Sequence, residues 1–461
     1  MRPDIVVRDG FLGKVWLAAS RSLSTDGRSG ACRKRITFAI DGPMSQHVCI
    51  VGAGIVGLFS AWRLLREGHR VTLLEGRNGP GLATSFANGA QLSYSYVAPL
   101  AEPAALGSFP GYLLDARAPL CFRPSLSPRF WSWCCRFAAH CTTARAQRTT
   151  RELLALGFLS RRCLHALLDE YPDPALHHRQ NGKLVLYRDA DSFRAAQRRL
   201  RFQAQFGCEQ FALQAAECVA VEPALAGLQE RLTGGIHTPS EDVIDSHALC
   251  LHLAALIRRG GGEIRYAAPV RGQRFAGGRI AALLLPDSEI AADQFVLAGG
   301  IESRDLLAGM GLRVPLLGLK GYSLTVDCAQ GVAPSLSITD SRHRIVFARL
   351  GDRLRVAGMV DMGNERTDIP ARRLATLIRQ ARAVFPLAGD YDQAEPWAGL
   401  RPATPSGRPL IDRVGHANLY VNVGHGTLGL TLAAGSAELL ADRLAGRPCR
   451  IDATPFLLAN A

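Results

Sequence analysis

The sequence predicts an α/β protein of two domains interleaved along the chain, one a parallel layer and the other an α+β unit on an antiparallel sheet. Three observations lead to that class. A strand, a glycine-rich turn, a helix and a second strand follow one another just after Met44. Strand-like runs without long helices between them fill the middle of the chain, and a second strand-to-glycine-to-helix junction stands near the C-terminus.

The first unit begins with His47-Val-Cys-Ile-Val51, an apolar run of strand length that stops at Gly52-Ala-Gly54-Ile-Val-Gly57. Ile55 to Glu67 then reads as a helix, with Gly68-His69 as its stop, and Arg70-Val-Thr-Leu-Leu-Glu75 as a second strand. This is a β-α-β unit of about 30 residues with its glycines at the first turn. Gly52 permits the tight turn, Gly54 admits a pyrophosphate to the backbone N–H groups, and Gly57 lets helix and strand pack closely. The positive end of the helix would face the phosphates. Glu75, 18 residues past Gly57, stands where an acid accepts bonds from a ribose diol and selects against a 2′-phosphate. A dinucleotide site is expected.

The rest of the chain favours a flavin over a nicotinamide. After Glu75 comes a small-residue loop, Gly79-Pro-Gly81-Leu-Ala-Thr84-Ser85-Phe-Ala-Asn88-Gly89, suited to close backbone approach. Helices are expected at 145–170, 190–206 and 370–384, and strands at Lys183–Tyr187, Gly321–Val326, Arg344–Ala348 and Arg353–Ala357. Ser246–Gly260, Glu263–Tyr266 and Phe295–Ala298 read as a return to the parallel layer. Leu419–Val423 then leads through Gly424-His425-Gly426 into a helix from Thr427 to Leu444. Free N–H groups at that helix start suit the pyrimidine edge of a flavin, where negative charge gathers on reduction.

Bulk properties narrow the function classes. A chain of 461 residues suits about two domains, and 48% hydrophobic with 20% charged residues is a globular composition. The charge of +14 raises nucleic acid or membrane as partners. The arginines, however, are scattered at helical spacing, as in Arg194-Ala-Ala-Gln-Arg198-Arg199-Leu-Arg201. That pattern reads as solvated helix faces, or second as a peripheral membrane face, and nucleic acid is not an expected partner. Twelve cysteines with no CxxC pair and no Cys/His set at zinc spacing point to a reducing compartment and no metal. No window nears about 18 consecutive apolar residues, so no spanning helix is expected. Residues 1–43 carry eight Lys/Arg against four Asp, net +4. They read as a disordered extension, with Met44 as an alternative start.

Five motifs carry a family resemblance: GAGIVG at 52–57, LTGG at 232–235, LKGYSLT at 319–325, WAGLRP at 397–402 and GHGTLG at 424–429. Over about Val48 to Gly446 the chain resembles the glycine/D-amino-acid oxidase superfamily of flavoproteins, and within it the bacterial D-amino-acid dehydrogenase small subunits. The resemblance implies non-covalent FAD in a Rossmann-type domain, here 46–100, 240–312 and 396–448, with a substrate-binding domain at 101–239 and 313–395. It implies oxidative deamination of small D-amino acids to 2-oxo acids and ammonia. Electrons would pass to a quinone or other acceptor, at the cytoplasmic face of the membrane. A dehydrogenase of D-hydroxyproline or other cyclic secondary amines, and an oxygen-using D-amino-acid or glycine oxidase, are the rival readings. The chain departs from the family at Asn88-Gly89-Ala90-Gln91, where Asn-Ala-Gly-Gln is usual. It departs again at Tyr94, Ser406 and Leu430, where proline, aspartate and tryptophan are common.

Candidate residues follow. Arg401 is expected to clamp the substrate carboxylate, since a guanidinium fork matches a carboxylate bidentately. Tyr322 could add a hydroxyl bond to that carboxylate or be a core tyrosine; Tyr96 is a weaker pocket candidate. His425 could bond flavin or substrate, or hold the turn. The FAD site is expected to use Val48, Val51, Gly52, Gly54, Ile55, Val56, Gly57 and Glu75 in the first unit, and Thr84, Ser85 and Asn88 in the loop after it. Val270, Ala298 and Gly299 are expected from the later strands, and Gly424, Gly426, Thr427 and Leu428 from the last junction.

Overall fold

The computed structural model describes residues 45–107, 118–328 and 332–460. The extension expected at 1–43 lies outside them.

Val48, Cys49 and Ile50 are fully buried because their strand, His47–Val51, has parallel neighbours on both sides, helix Ile55–Arg66 packed against it, and Cys49 clustered with Ile280, Leu283 and Ile290. Arg70–Leu74 pairs on one side and Gln294–Leu297 on the other. The complete six-stranded order is Leu410–Arg413, Leu419–Val423, Gln294–Leu297, His47–Val51, Arg70–Leu74 and Glu263–Arg265, with only the first strand antiparallel to its neighbour. Helix Ile55–Arg66 packs between Ser246–Arg259 and Gly429–Leu444. The second glycine junction opens as a single 3-10 turn, Gly426–Leu428, before the α-helix starts at Gly429.

The other layer is a nine-stranded sheet. Its path runs Glu395–Ala403, Leu317–Asp327, Arg353–Met362, Ile345–Leu350, Ser337–Asp340, Lys183–Tyr187, Gly234–Thr238 and Phe211–Gln214. Leu120–Phe122 pairs alongside Arg353–Met362. Most pairings are antiparallel, but Ser337–Asp340 with Lys183–Tyr187, and Leu120–Phe122 with Arg353–Met362, are parallel. Those pairs join segments far apart in sequence, as parallel neighbours must be. One face of the sheet buries Leu324, Phe347 and Val356 against Leu377 and Ala381 of the helix Ala371–Val384.

Two features depart from the sequence reading. Glu395–Ala403, at the start of the segment 396–448 expected in the FAD-binding domain, pairs with Leu317 to Thr325 in the nine-stranded sheet, with Leu319 opposite Arg401 and Gly321 opposite Gly399. The parallel layer resumes only at Leu410. A short strand carries no local mark of which sheet it will join; its partner decides. A small antiparallel unit, Gly272–Ala276, Arg279–Leu284 and Glu289–Ala291, interrupts the parallel layer where none was expected. Among the described residues no helix is long and apolar enough to cross a membrane.

Candidate active site

A cavity of about 1440 Å³ lies where the C-terminal ends of four parallel strands face the nine-stranded sheet. Val51, Glu75, Ala298 and Val423 come from the strand ends; Gly321, Val346, Ala357 and Arg401 come from the sheet. A crevice beyond the carboxyl ends of parallel strands is where open α/β sheets take their ligands. Single small-ligand sites run to roughly 300–1,000 Å³, so this one has room for a large ligand and a small one together.

The glycine turn tests what the large ligand is. A Cβ on Gly52 would stand 2.6 Å from Gly299 Cα, and one on Gly57 would overlap the Gly52 carbonyl oxygen, so the protein's own packing requires both. Gly52 also has φ of +107°. A Cβ on Gly54 would meet only Ser85 Oγ, at 3.6 Å. Nothing in the protein needs glycine there; a group lying against the helix start does. Gly54, the N-cap, has no side chain to cap that start, and of the first N–H groups Ile55 N–H is taken by Ser85 Oγ at 3.1 Å. The Glu75 carboxylate faces the same turn, accepting from Ala53 N–H at 2.8 Å and Arg77 N–H at 3.0 Å. A reserved space, a helix start whose N-cap is glycine and an acid at the second strand end fit a dinucleotide.

Of the residues expected around the cofactor, Val51, Gly52, Gly54, Ile55, Val56, Glu75, Thr84, Ser85 and Asn88 line the cavity. So do Val270, Ala298, Gly299, Gly424, Gly426, Thr427 and Leu428. Two expected residues do not. Val48 sits at the start of its strand, paired with Val71 and Gln294 and fully buried, and Gly57 lies behind the turn under Gly52. Thr84 and Asn88 spend their side chains inside the protein: Thr84 Oγ1 donates to Leu400 O at 2.6 Å, and Asn88 Oδ1 accepts from Ala90 N–H at 2.9 Å. The Thr84 bond ties the small-residue loop to the strand that carries Arg401, and Ser323 Oγ, donating to Ala87 O at 2.6 Å, ties it to the neighbouring strand Leu317–Asp327.

Arg401 faces the cavity with its guanidinium folded over Gly321, where any Cβ would collide with it. Among the described residues its one hydrogen bond runs from Nη1 to Met359 O, at 3.5 Å. Burial alone pushes its pKa down to about 10, and no carboxylate of the described residues stands within ion-pair distance. A half-buried guanidinium in this state is under-solvated and holds its donors ready for an anion.

Tyr322 and His425 both border the cavity, but the Tyr322 hydroxyl and the His425 Nε2 are bonded inside the protein. Side chains alternate along a strand, so Tyr322 takes the face opposite to Gly321 and Arg401. There it is 2% exposed, and its hydroxyl donates to Asp361 Oδ2 at 2.6 Å; Asp361 is itself bridged to Arg373 at 2.8 Å. Its hydroxyl does not join Arg401. His425 is 3% exposed with Nε2 on Ser436 Oγ at 2.9 Å, and burial lowers its pKa from 6.5 to about 3. It is a neutral histidine that ties the Gly424–Gly426 turn to the helix Gly429–Leu444. Tyr96 lines the cavity, with the Lys183 ammonium 4.3 Å from its ring centroid.

Sequence reasoning missed Gly321, which seats the guanidinium, although its place two residues before Ser323 in a strand was in view. It also missed Lys183, a cavity-lining lysine 2% exposed whose Nζ donates to Ser93 Oγ at 2.8 Å. A lysine opening an apolar strand carries no sign that it will be buried.

Residues 47–443 match the model of the FAD dependent oxidoreductase family, and the chain belongs to that family. It is an FAD-dependent oxidoreductase, and the cradle around Gly54 and Glu75 is of the kind its cofactor needs. Among curated proteins it is 46% identical over 425 residues to D-amino acid dehydrogenase 2 of Ralstonia nicotianae, covering 90% of this chain and 100% of the relative. It is likewise 46% identical over 424 residues to the protein of that name from Pseudomonas aeruginosa, covering 91% of this chain and 99% of the relative. Among solved structures, glycine oxidase from Geobacillus kaustophilus superposes with a TM-score of 0.71 at 21% identity, covering 90% of this chain and 98% of the other. That likeness is one of fold.

Proposed function

We propose that the protein oxidises small D-amino acids to 2-oxo acids and ammonia and passes the electrons to a quinone or another acceptor at the cytoplasmic face of the membrane. The observation that carries this reading is Arg401: a half-buried cation with no carboxylate of the described residues in ion-pair distance, on the sheet wall of a cavity whose opposite wall is the dinucleotide cradle. The two relatives at 46% identity, both named D-amino acid dehydrogenase, point the same way.

Residues of the first unit and of the last glycine junction would hold the FAD: the Gly52–Gly57 turn at the pyrophosphate, Glu75 at the ribose, and the Gly426–Leu428 turn at the pyrimidine edge of the ring. Bound FAD supplies a two-electron acceptor for the hydride of the substrate α-carbon. Arg401 takes the substrate carboxylate on two parallel N–H donors, which fixes the rotation about the Cα–carboxylate bond and so aims the α-hydrogen before transfer. No side chain is needed as general base. The neutral amine's lone pair drives hydride departure, and water hydrolyses the released imine to the oxo acid and ammonia.

Anaerobic mixing of the yellow protein with a substrate panel tests this. D-alanine should bleach the flavin absorbance and L-alanine should leave it unchanged, with little peroxide formed on readmitting air. Bleaching by L-amino acids, or by no amino acid, would overturn the proposal. Bleaching by cis-hydroxy-D-proline but not D-alanine would move the substrate to the cyclic secondary amines.

A further inference from the structure

We propose that His165, His178 and Asp242 form a binding site for a divalent transition-metal cation of zinc type, separate from the cavity. His165 comes from the helix Thr143–Glu170, His178 from the segment after the turn Pro174–Leu176, and Asp242 from the short strand Asp242–Val243. One ligand atom from each lies within 4.8 Å of the others. His165 Nε2 is 2.6 Å and His178 Nε2 3.3 Å from Asp242 Oδ2. Ligands on a tetrahedral ion with bonds of about 2.0–2.1 Å stand roughly 3.3 Å apart, so small side-chain shifts would close the cluster on a cation.

The carboxylate gives a second, independent sign. Asp242 is 1% exposed, and its Oδ1 is buried with no hydrogen-bond partner, while Oδ2 has three groups around it, the two imidazoles and the Tyr94 hydroxyl at 3.1 Å. A cation held through both oxygens would satisfy the orphan atom, and the Tyr94 bond would then orient the carboxylate, as an outer hydrogen bond does at metal sites. The histidine side chains are 21% and 19% exposed, which leaves one side open for entry and for a water ligand. Borderline-soft imidazole nitrogens with one carboxylate suit zinc, cobalt or nickel rather than calcium or magnesium. Of the other charges here, Arg161 lies over the Tyr94 ring at 5.9 Å from its centroid, and Glu241 precedes Asp242.

The site is structural in effect. Asp242–Val243 pairs with Gln91–Leu92, and Gln91 and Ser93 line the cavity, so the cation would pin a long helix to the strand pair behind the cavity wall. Sequence spacing hid it, because the ligands are 13 and 64 positions apart.

The FAD-loaded protein, stripped with a chelator, is to be titrated with zinc chloride by equilibrium dialysis and with cobalt chloride by visible absorption, and its melting followed with and without zinc. The structure predicts saturable uptake of one ion per chain, cobalt d–d bands of a four- or five-coordinate site, and a rise in Tm on adding zinc. His165→Gln and His178→Gln should each weaken binding tenfold or more, with flavin content unchanged. Were His165→Gln to lose its flavin, His178→Gln, altered in the connecting segment, would give the deciding value. His252→Gln, at the separate pair with Asp173, should bind as the parent does. Absence of saturable uptake, or uptake unaffected by the His165 and His178 substitutions, overturns the proposal.

Discussion

Arg401 and Gly321 act as one device, a guanidinium seated on a residue with no side chain. Gly321→Ala would force the guanidinium aside, so kcat/KM for D-alanine should fall at least tenfold, about 1.4 kcal/mol in transition-state binding, while FAD content stays at the parent value. Steady-state kinetics beside the flavin-to-protein absorbance ratio reads both. Tyr322→Phe should do the reverse. It removes a buried bond to Asp361 on the far face of the sheet, costing about 1–3 kcal/mol in urea unfolding, and leaves kcat/KM within about twofold. Arg401 was legible as a candidate because a guanidinium fork matches the carboxylate it is proposed to bind. The side Tyr322 faces was not, because alternation fixes relative faces only and the absolute face follows from which layer covers the strand. Ala90 is a third case. The transposed Gly89-Ala90 leaves an alanine at φ of +55°, in the left-handed region, so Ala90→Gly should stabilise by about 1–2 kcal/mol, measured by denaturant unfolding.

The glycine turn shows how one element serves fold and ligand with different residues. Gly57→Ala sets a methyl into the Gly52 carbonyl and should yield little folded protein. Gly54→Ala meets no protein atom closer than 3.6 Å, so the polypeptide should fold, with a far-ultraviolet circular dichroism spectrum like the parent's, yet lose FAD affinity tenfold or more. The strand–turn–helix–strand unit was readable because its contacts are local and each residue type is dictated by a nearby need. The sheet that Glu395–Ala403 joins was not legible, because its partner, Leu317–Asp327, is remote in sequence. His165, His178 and Asp242 were invisible for the same reason.

Across the molecule the buried histidines set an acid limit. Burial lowers His425 from 6.5 to about 3 and lowers His47, His69 and His237 as well. The unfolded chain takes up protons below about pH 6.5 that the folded chain refuses. The stability of keeping these rings neutral is therefore whole above about pH 6.5 and is lost as pH falls toward 3, by at most about 1.4 kcal/mol per pH unit for His425. Tm should drop between pH 6.5 and 5, and His425→Gln should flatten that slope; an unchanged slope would mean the ring is protonated in the folded state. At this scale the α/β class, the interleaving of two layers and the FAD cofactor were readable from glycine spacing and the five motifs. The order of the nine strands was not, since it is set by long-range pairing.

Flavin reduction by D-alanine in Arg401→Ala, followed anaerobically in a stopped-flow spectrometer, bears most directly on the idea that an unneutralised guanidinium aims the substrate at the cofactor. The variant should purify yellow, with its full FAD content, and its second-order reduction constant should be a hundredfold or more below that of the parent, about 3 kcal/mol. A variant reduced at nearly the parental rate would contradict it, and so would a parent protein that takes up no flavin.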